Sequence, residues 1–193
     1  QVMVDEECAI DPACNELWYV KDVNGHDVIF LLGEFQSTTP QGQFRLCKDI
    51  FDMIIPYDPS LIITLGGYGT GGVVNDPRVL GAVSDPNMKS EMEGYGVSFY
   101  PNEPHGGIVG AAAMFVALGA EYDIDSICIM GETSGYIADT KSAENLINVL
   151  SNLLGTEIDT SELKEEIDAI NDINKEAEAQ AISGPKEDLS YIG

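Results

Sequence analysis

Basic residues are scarce in this chain: Lys and Arg number 9 against 33 Asp and Glu, a formal charge of -24 over 193 residues. A surface so negative repels phosphate backbones and anionic headgroups, which argues against nucleic acid and charged membrane surfaces as partners. Histidine is scarcer still, at 2, and His26 and His105 with scattered cysteines make a poor zinc cage, so no metal is expected. Cys8, Cys14, Cys47 and Cys128 lack CxxC spacing and are expected as free thiols in a reducing, cytoplasmic compartment. Cys47 and Cys128 fall in apolar patterns, where cysteine acts as a small buried hydrophobe. A local disulfide between Cys8 and Cys14, which flank Asp11 and Pro12, stays open. No apolar run approaches the roughly 18 to 20 residues that span a bilayer, and the opening QVMVDEE has neither a basic nor an apolar signal region.

What is present suits one core with an appendage: 44% of the residues are hydrophobic, enough for one well-buried domain and too few residues for two. Leu17 to Val23 and Val28 to Leu32 flank Asn24, Gly25, His26 and Asp27, which predicts a β-hairpin with Asn and Gly supplying positive φ. The second strand, VIFLL, is apolar throughout and is expected at the centre of a sheet covered on both faces. Phe44, Cys47, Ile50, Phe51 and Ile54 recur at three and four over 43–55, one helical face ended by Pro56. Strand LIITL follows at 61–65, then weaker strand patterns at 78–84 and 96–100. The small, apolar stretch 107–120 reads as a buried helix, 126–132 as an apolar strand, and 142–154 as an amphipathic helix closed by Gly155. The alternation predicts an α/β class with a three-layer, mostly parallel sheet, occupying residues 1–160.

Asp159 followed by Glu162 predicts a capping box opening an acidic C-terminal helix over 161–181, with a flexible tail over 182–193. Leu163, Ile167, Ile170, Asn174 and Ala177 alternate spacings of four and three, which fits either a coiled-coil seam for a homo-oligomer or a stripe packed on its own domain.

Chemistry-bearing motifs are few. GGYGTGG, residues 66–72, places Gly67, Gly69 and Gly72 in GxGxxG spacing after a strand, but Val73 to Pro77 offer no helix start for a pyrophosphate, so the segment is expected as a plain loop. Ser134 in GETSGY has the wrong glycine spacing for a nucleophile elbow. Glu34 and Glu132 both end strands and would form a carboxylate pair if those strands were neighbours, with capping of backbone amides the alternative. His105 in a glycine-rich loop is a conceivable base. An enzyme reading, a small-molecule hydrolase or phosphorylase, would need Glu34, His105, Glu132 and Ser134 to converge.

IITLGGYGTGG, then GGIVGAAAMFVALGAEYDIDSICIMGETSGY, then NLINVLSNLLGTEIDTSELKEEI together resemble the archaeal proteasome assembly chaperone family, relatives of the heterodimeric chaperone that assembles the eukaryotic proteasome α ring. The likeness runs over about residues 28–180. It implies a phosphorylase/hydrolase-like α/β domain without established catalytic residues or a cofactor, oligomeric, binding proteasome α subunits during core particle assembly. It also implies a first βα unit ahead of the hairpin, and nothing before Leu17 matches one, so that unit is expected to be missing. Docking proteins of the proteasome often carry a penultimate tyrosine. Here the end is Leu189, Ser190, Tyr191, Ile192, Gly193, with Tyr191 third from last and Leu189, Tyr191, Ile192 and Gly193 as the candidate anchors.

Overall fold

The structure is a computed structural model and describes residues 2–4, 8–12, 14–33, 36–72, 74–135, 139–167 and 169–170. Two short strands, β1 (Val2–Val4) and β2 (Ile10–Pro12), pair antiparallel. A hairpin follows, β3 (Asn15–Val23) and β4 (His26–Gly33). Its turn is tighter than the sequence suggests: Val23 pairs with His26, leaving Asn24 (φ 52°) and Gly25 (φ 87°) as the two left-handed corner residues, the backbone that Asn-Gly accommodates.

Helix α1 (Pro40–Ile54) starts with Thr39 accepting a hydrogen bond from the Gly42 amide and Pro40 preset for the first turn. Of its expected apolar face, Cys47, Ile50 and Phe51 are buried while Phe44 is half exposed. Phe51 stacks between Phe115 and Tyr122, at ring distances of 5.6 and 5.1 Å. The main sheet holds β5 (Leu61–Gly69), β6 (Val79–Val83) and β7 (Asp125–Thr133) in the order β5-β7-β6. Helices α2 (Lys89–Gly94), α3 (Ala111–Glu121) and α4 (Thr140–Leu154) pack with these strands. Asp139 caps α4 through the Ser142 amide, and Gly155 ends it at φ 61°, as the terminal glycine requires.

Strand β7 is the organising element. Ile127 and Ile129 belong to one cluster with Val149 of α4 and Met92 of α2. Cys128 and Met130, of opposite parity, meet Ala112 and Val116 of α3. The two-residue period thus puts helices against both faces of this strand. At Gly131 α4 comes close: a Cβ there would stand 2.3 Å from Ser142 Oγ.

Several expectations are corrected. VIFLL is not the central strand. Among the described residues β4 pairs only with β3, in a two-stranded sheet, and Phe30, Leu31 and Leu32 are 45%, 37% and 54% exposed, whereas β7 is buried from Ser126 to Glu132. Both runs are apolar, but among the described residues only β7 has a strand on either side. The sheet is not mostly parallel: among the described residues β5–β7 is parallel and the β1–β2, β3–β4 and β6–β7 ladders are antiparallel. The expected strand at 96–100 reduces to one bridge, Ser98 to Leu80, and the helix expected from Gly107 begins at Ala111. Gly66, Gly67 and Gly69 are not loop but the end of β5, because their carbonyls and amides continue the ladder to Thr133.

The C-terminal segment is helical at 161–167 and 169–170. Asp159 accepts bonds from the Ser161 amide and hydroxyl, so its oxygen serves Ser161 rather than the Glu162 amide that a capping box would use.

Candidate functional site

The strand ends expected to carry chemistry hold a charge cluster built around Arg78. Glu132, the second-last residue of β7, is 5% exposed. Its Oε2 accepts from the Arg78 amide at 2.9 Å and from Arg78 Nε at 3.0 Å, and its Oε1 accepts from the second guanidinium nitrogen. The Glu132 amide in turn donates to the Arg78 carbonyl at 3.0 Å. Glu103 stands 3.4 Å from the same guanidinium, an ion pair only, since its Oε2 accepts no hydrogen bond. The Tyr100 ring lies 4.7 Å from the guanidinium carbon, a distance at which the ring face attracts a cation.

The electrostatics follow from this geometry. Hydrogen bonding from Arg78 holds the Glu132 carboxyl below its usual range against the opposing effect of burial, and Glu132 raises the Arg78 guanidinium in return. Ionised and occupied on both oxygens, Glu132 has no proton to give and little basicity left to accept one. The neighbouring loop is pinned as well. The Thr70 amide and hydroxyl donate to the Thr133 carbonyl at 2.9 and 3.2 Å. Lys141 reaches the Asn75 carbonyl and Asp76, and Asn145 donates to the Pro77 carbonyl at 2.8 Å, so the first turns of α4 hold residues 75–77.

Of the residues expected here, Ser134 is buried two residues beyond Glu132, and His105 is exposed, two residues beyond Glu103. Glu34 lies outside the described residues, as do Leu189, Tyr191, Ile192 and Gly193 of the tail and Asn174 and Ala177 of the proposed seam. The seam's earlier positions divide: Ile167 is 7% exposed within the single chain and Ile170 is 48% exposed. Lys164 of the same helix bonds Glu144 of α4 at 2.9 Å, which places the segment against its own domain. Among the described residues no group of three His, Cys, Asp or Glu side chains could hold a metal, and no helix is long and apolar enough to cross a membrane. Cys8 and Cys14 are exposed free thiols, Cys47 and Cys128 buried ones.

Arg78, Glu103 and Tyr100 are the site residues that sequence reasoning passed over. The available signal was Arg78 itself, one of few basic residues, standing at the mouth of the apolar strand VLGAV.

A family model described as the PAC2 family matches residues 1–178. A protein of Methanocaldococcus jannaschii is 31% identical over 202 residues, taking in 100% of this chain and 77% of that protein. Among solved structures, Pyrococcus furiosus PbaB, described as an archaeal proteasome activator, superposes with a TM-score of 0.80 at 29% identity, covering 92% of this chain and 77% of PbaB. Pyrococcus furiosus PbaA, described as an archaeal homolog of proteasome-assembly chaperone, gives 0.72 at 20% identity over 95% of this chain and 72% of its own, a likeness of fold. With its family match extending from residue 1 to 178, through the sheet, α3, α4 and the helix beyond, this chain belongs to the PAC2 family.

Proposed function

We propose that this protein is a non-enzymatic chaperone that binds proteasome α subunits and assists core particle assembly, on a phosphorylase/hydrolase-like three-layer α/β domain working in the cytoplasm. The observation that carries the reading is the likeness to PbaB, described as a proteasome activator, at a TM-score of 0.80 over 92% of the chain. The candidate site supports it from the other side: its buried carboxylate is spent on Arg78, which is a way of closing a strand end rather than of moving protons. The net charge of -24 complements a basic partner surface and speeds encounter with it. The test is retention of purified proteasome α subunits on the immobilised chain. Binding at roughly 0.05 M salt that weakens towards 0.5 M, where the screening length falls below about 5 Å, is the expected result. No retention at low salt refutes the reading. Deleting residues 182–193 asks whether the tail docks, and unchanged binding removes the tail from the proposal.

A further inference from the structure

Asn24 and Gly25 form the only Asn-Gly step in the sequence, and they sit together at the left-handed corner of the β3–β4 turn, at φ 52° and 87°. In this dipeptide the side-chain amide lies within reach of the next backbone nitrogen, and glycine sets no Cβ in the way of a close approach. Both groups that would react are already engaged elsewhere. Asn24 Nδ2 donates to the Leu154 and Gly155 carbonyls at 3.1 and 3.0 Å. The Gly25 amide donates to Asp22 Oδ1 at 3.1 Å, and the Asp22 amide in turn donates to Asp27 Oδ1 at 3.0 Å. The contact with the end of α4 is tight: a Cβ on Gly155 would stand 2.5 Å from Asn24 Nδ2.

We propose that Asn24 is a deamidation site whose reaction is gated by release of the hairpin turn from the end of α4. In the reaction the Gly25 nitrogen bonds to Asn24 Cγ as the Cγ–Nδ2 bond breaks, and the Gly25 amide proton leaves with that nitrogen as ammonia. Water, the sole co-reactant, then opens the succinimide ring at either carbonyl, which yields aspartate or its β-linked isomer at position 24. In the docked turn Asn24 must give up two hydrogen bonds and Gly25 one before the ring can close. A step that proceeds only from an opened form follows the population of that form, and two neutral hydrogen bonds shift such an equilibrium by about tenfold. The product cannot dock again. A carboxylate only accepts hydrogen bonds, so it faces the Leu154 and Gly155 carbonyls with no proton to offer, at the negative end of the α4 dipole. Deamidation therefore runs in one direction, as a covalent release of the hairpin from α4. The inference goes beyond the chaperone reading and stands apart from it.

The experiment ages the full chain at neutral pH, folded and in parallel unfolded in guanidinium chloride. Asn24 is followed by mass spectrometry of the tryptic peptide 22–45, which begins after Lys21 and ends at Arg45. The expected result is a mixture of aspartate and its β-linked isomer at position 24, formed at least about tenfold more slowly in the folded chain. Gly155→Ala drives a methyl at the Asn24 amide, and Asp22→Gly removes the carboxylate that holds the Gly25 amide while accepting the φ of 57° at that position. Each should speed the folded chain several-fold, with circular dichroism confirming the fold. Aged wild type enriched in the acid form should show faster amide exchange at the turn and at the end of α4. Equal rates in folded and unfolded wild type refute the inference, whether or not the variants fold. So does a folded variant that reacts no faster than wild type, a product without the β-linked isomer, or amide exchange that deamidation leaves unchanged.

Discussion

Replacing Arg78 by methionine removes the only guanidinium on Glu132 while keeping much of the apolar stem. In the wild type both Glu132 oxygens are bonded by Arg78, and the side chain is 7% exposed. The variant keeps the backbone bond from residue 78 but leaves a buried carboxylate without its countercharge, and breaking such a pair costs about 3 kcal/mol. For a domain of this size each kcal/mol moves the melting temperature by about 2 to 4 °C, so a fall of roughly 6 to 12 °C is expected near pH 7. The pH dependence identifies the cause. Arg78 lowers the Glu132 carboxyl in the folded wild type, so its stabilisation is complete above the ordinary carboxylate value of about 4.3 and is lost as pH falls through the lowered one. Without Arg78 burial dominates and raises that carboxyl, so the variant loses stability as pH climbs from about 4 towards neutrality. The gap between the two proteins should therefore be widest near pH 7 and close towards pH 4. Adding Glu132→Leu to Arg78→Met should restore most of the loss, because the stranded charge is gone. Thermal melts followed by circular dichroism at pH 4.5 and 7 read all three proteins. A single variant that melts within about 2 °C of wild type at pH 7, or a gap that widens in acid, refutes the reasoning.

Phe51→Ala, deep in the cluster with Phe115 and Tyr122, should cost about 3 to 5 kcal/mol by chemical denaturation, and a loss under 1 kcal/mol would show that the site collapses around the gap. Gly131→Ala drives a methyl towards Ser142 Oγ, 2.3 Å from the new Cβ. It should destabilise by about 1 to 3 kcal/mol, and the double variant Gly131→Ala, Ser142→Gly should recover part of that. Asn24→Ala deletes the amide that donates to the Leu154 and Gly155 carbonyls at 3.1 and 3.0 Å and leaves a left-handed alanine at φ 52°. A cost of about 1 to 3 kcal/mol is expected, with faster amide exchange at the hairpin turn and the end of α4, and unchanged exchange there would remove the tether from the account.

The features legible in the sequence are those set by near neighbours. Asn24 and Gly25 announced the hairpin turn, Gly155 the end of α4, and the three-and-four spacing of Cys47, Ile50 and Phe51 the buried side of α1, because each depends on backbone sterics or side-chain period within one turn. The candidate site was half legible. Glu132 was found at its strand end, while its partner was not, since Arg78 lies 54 positions away and no local pattern ties the two. The glycines at 66–69 misled for a related reason: glycine weakens a strand by propensity, yet the parallel ladder with β7 carries β5 through to Gly69.

By itself the sequence determined the acidity of the surface, the α/β class, the glycine end of α4 and the family resemblance, all of them properties of composition or of residues close together in the chain. Only the tertiary structure decided that β7 rather than VIFLL lies between two strands, that Glu132 is held by Arg78, and that Ile167 is buried within its own chain. Apolar runs of equal strength compete for one central position, and which of them wins depends on pairing between residues far apart in the chain, which periodicity does not encode.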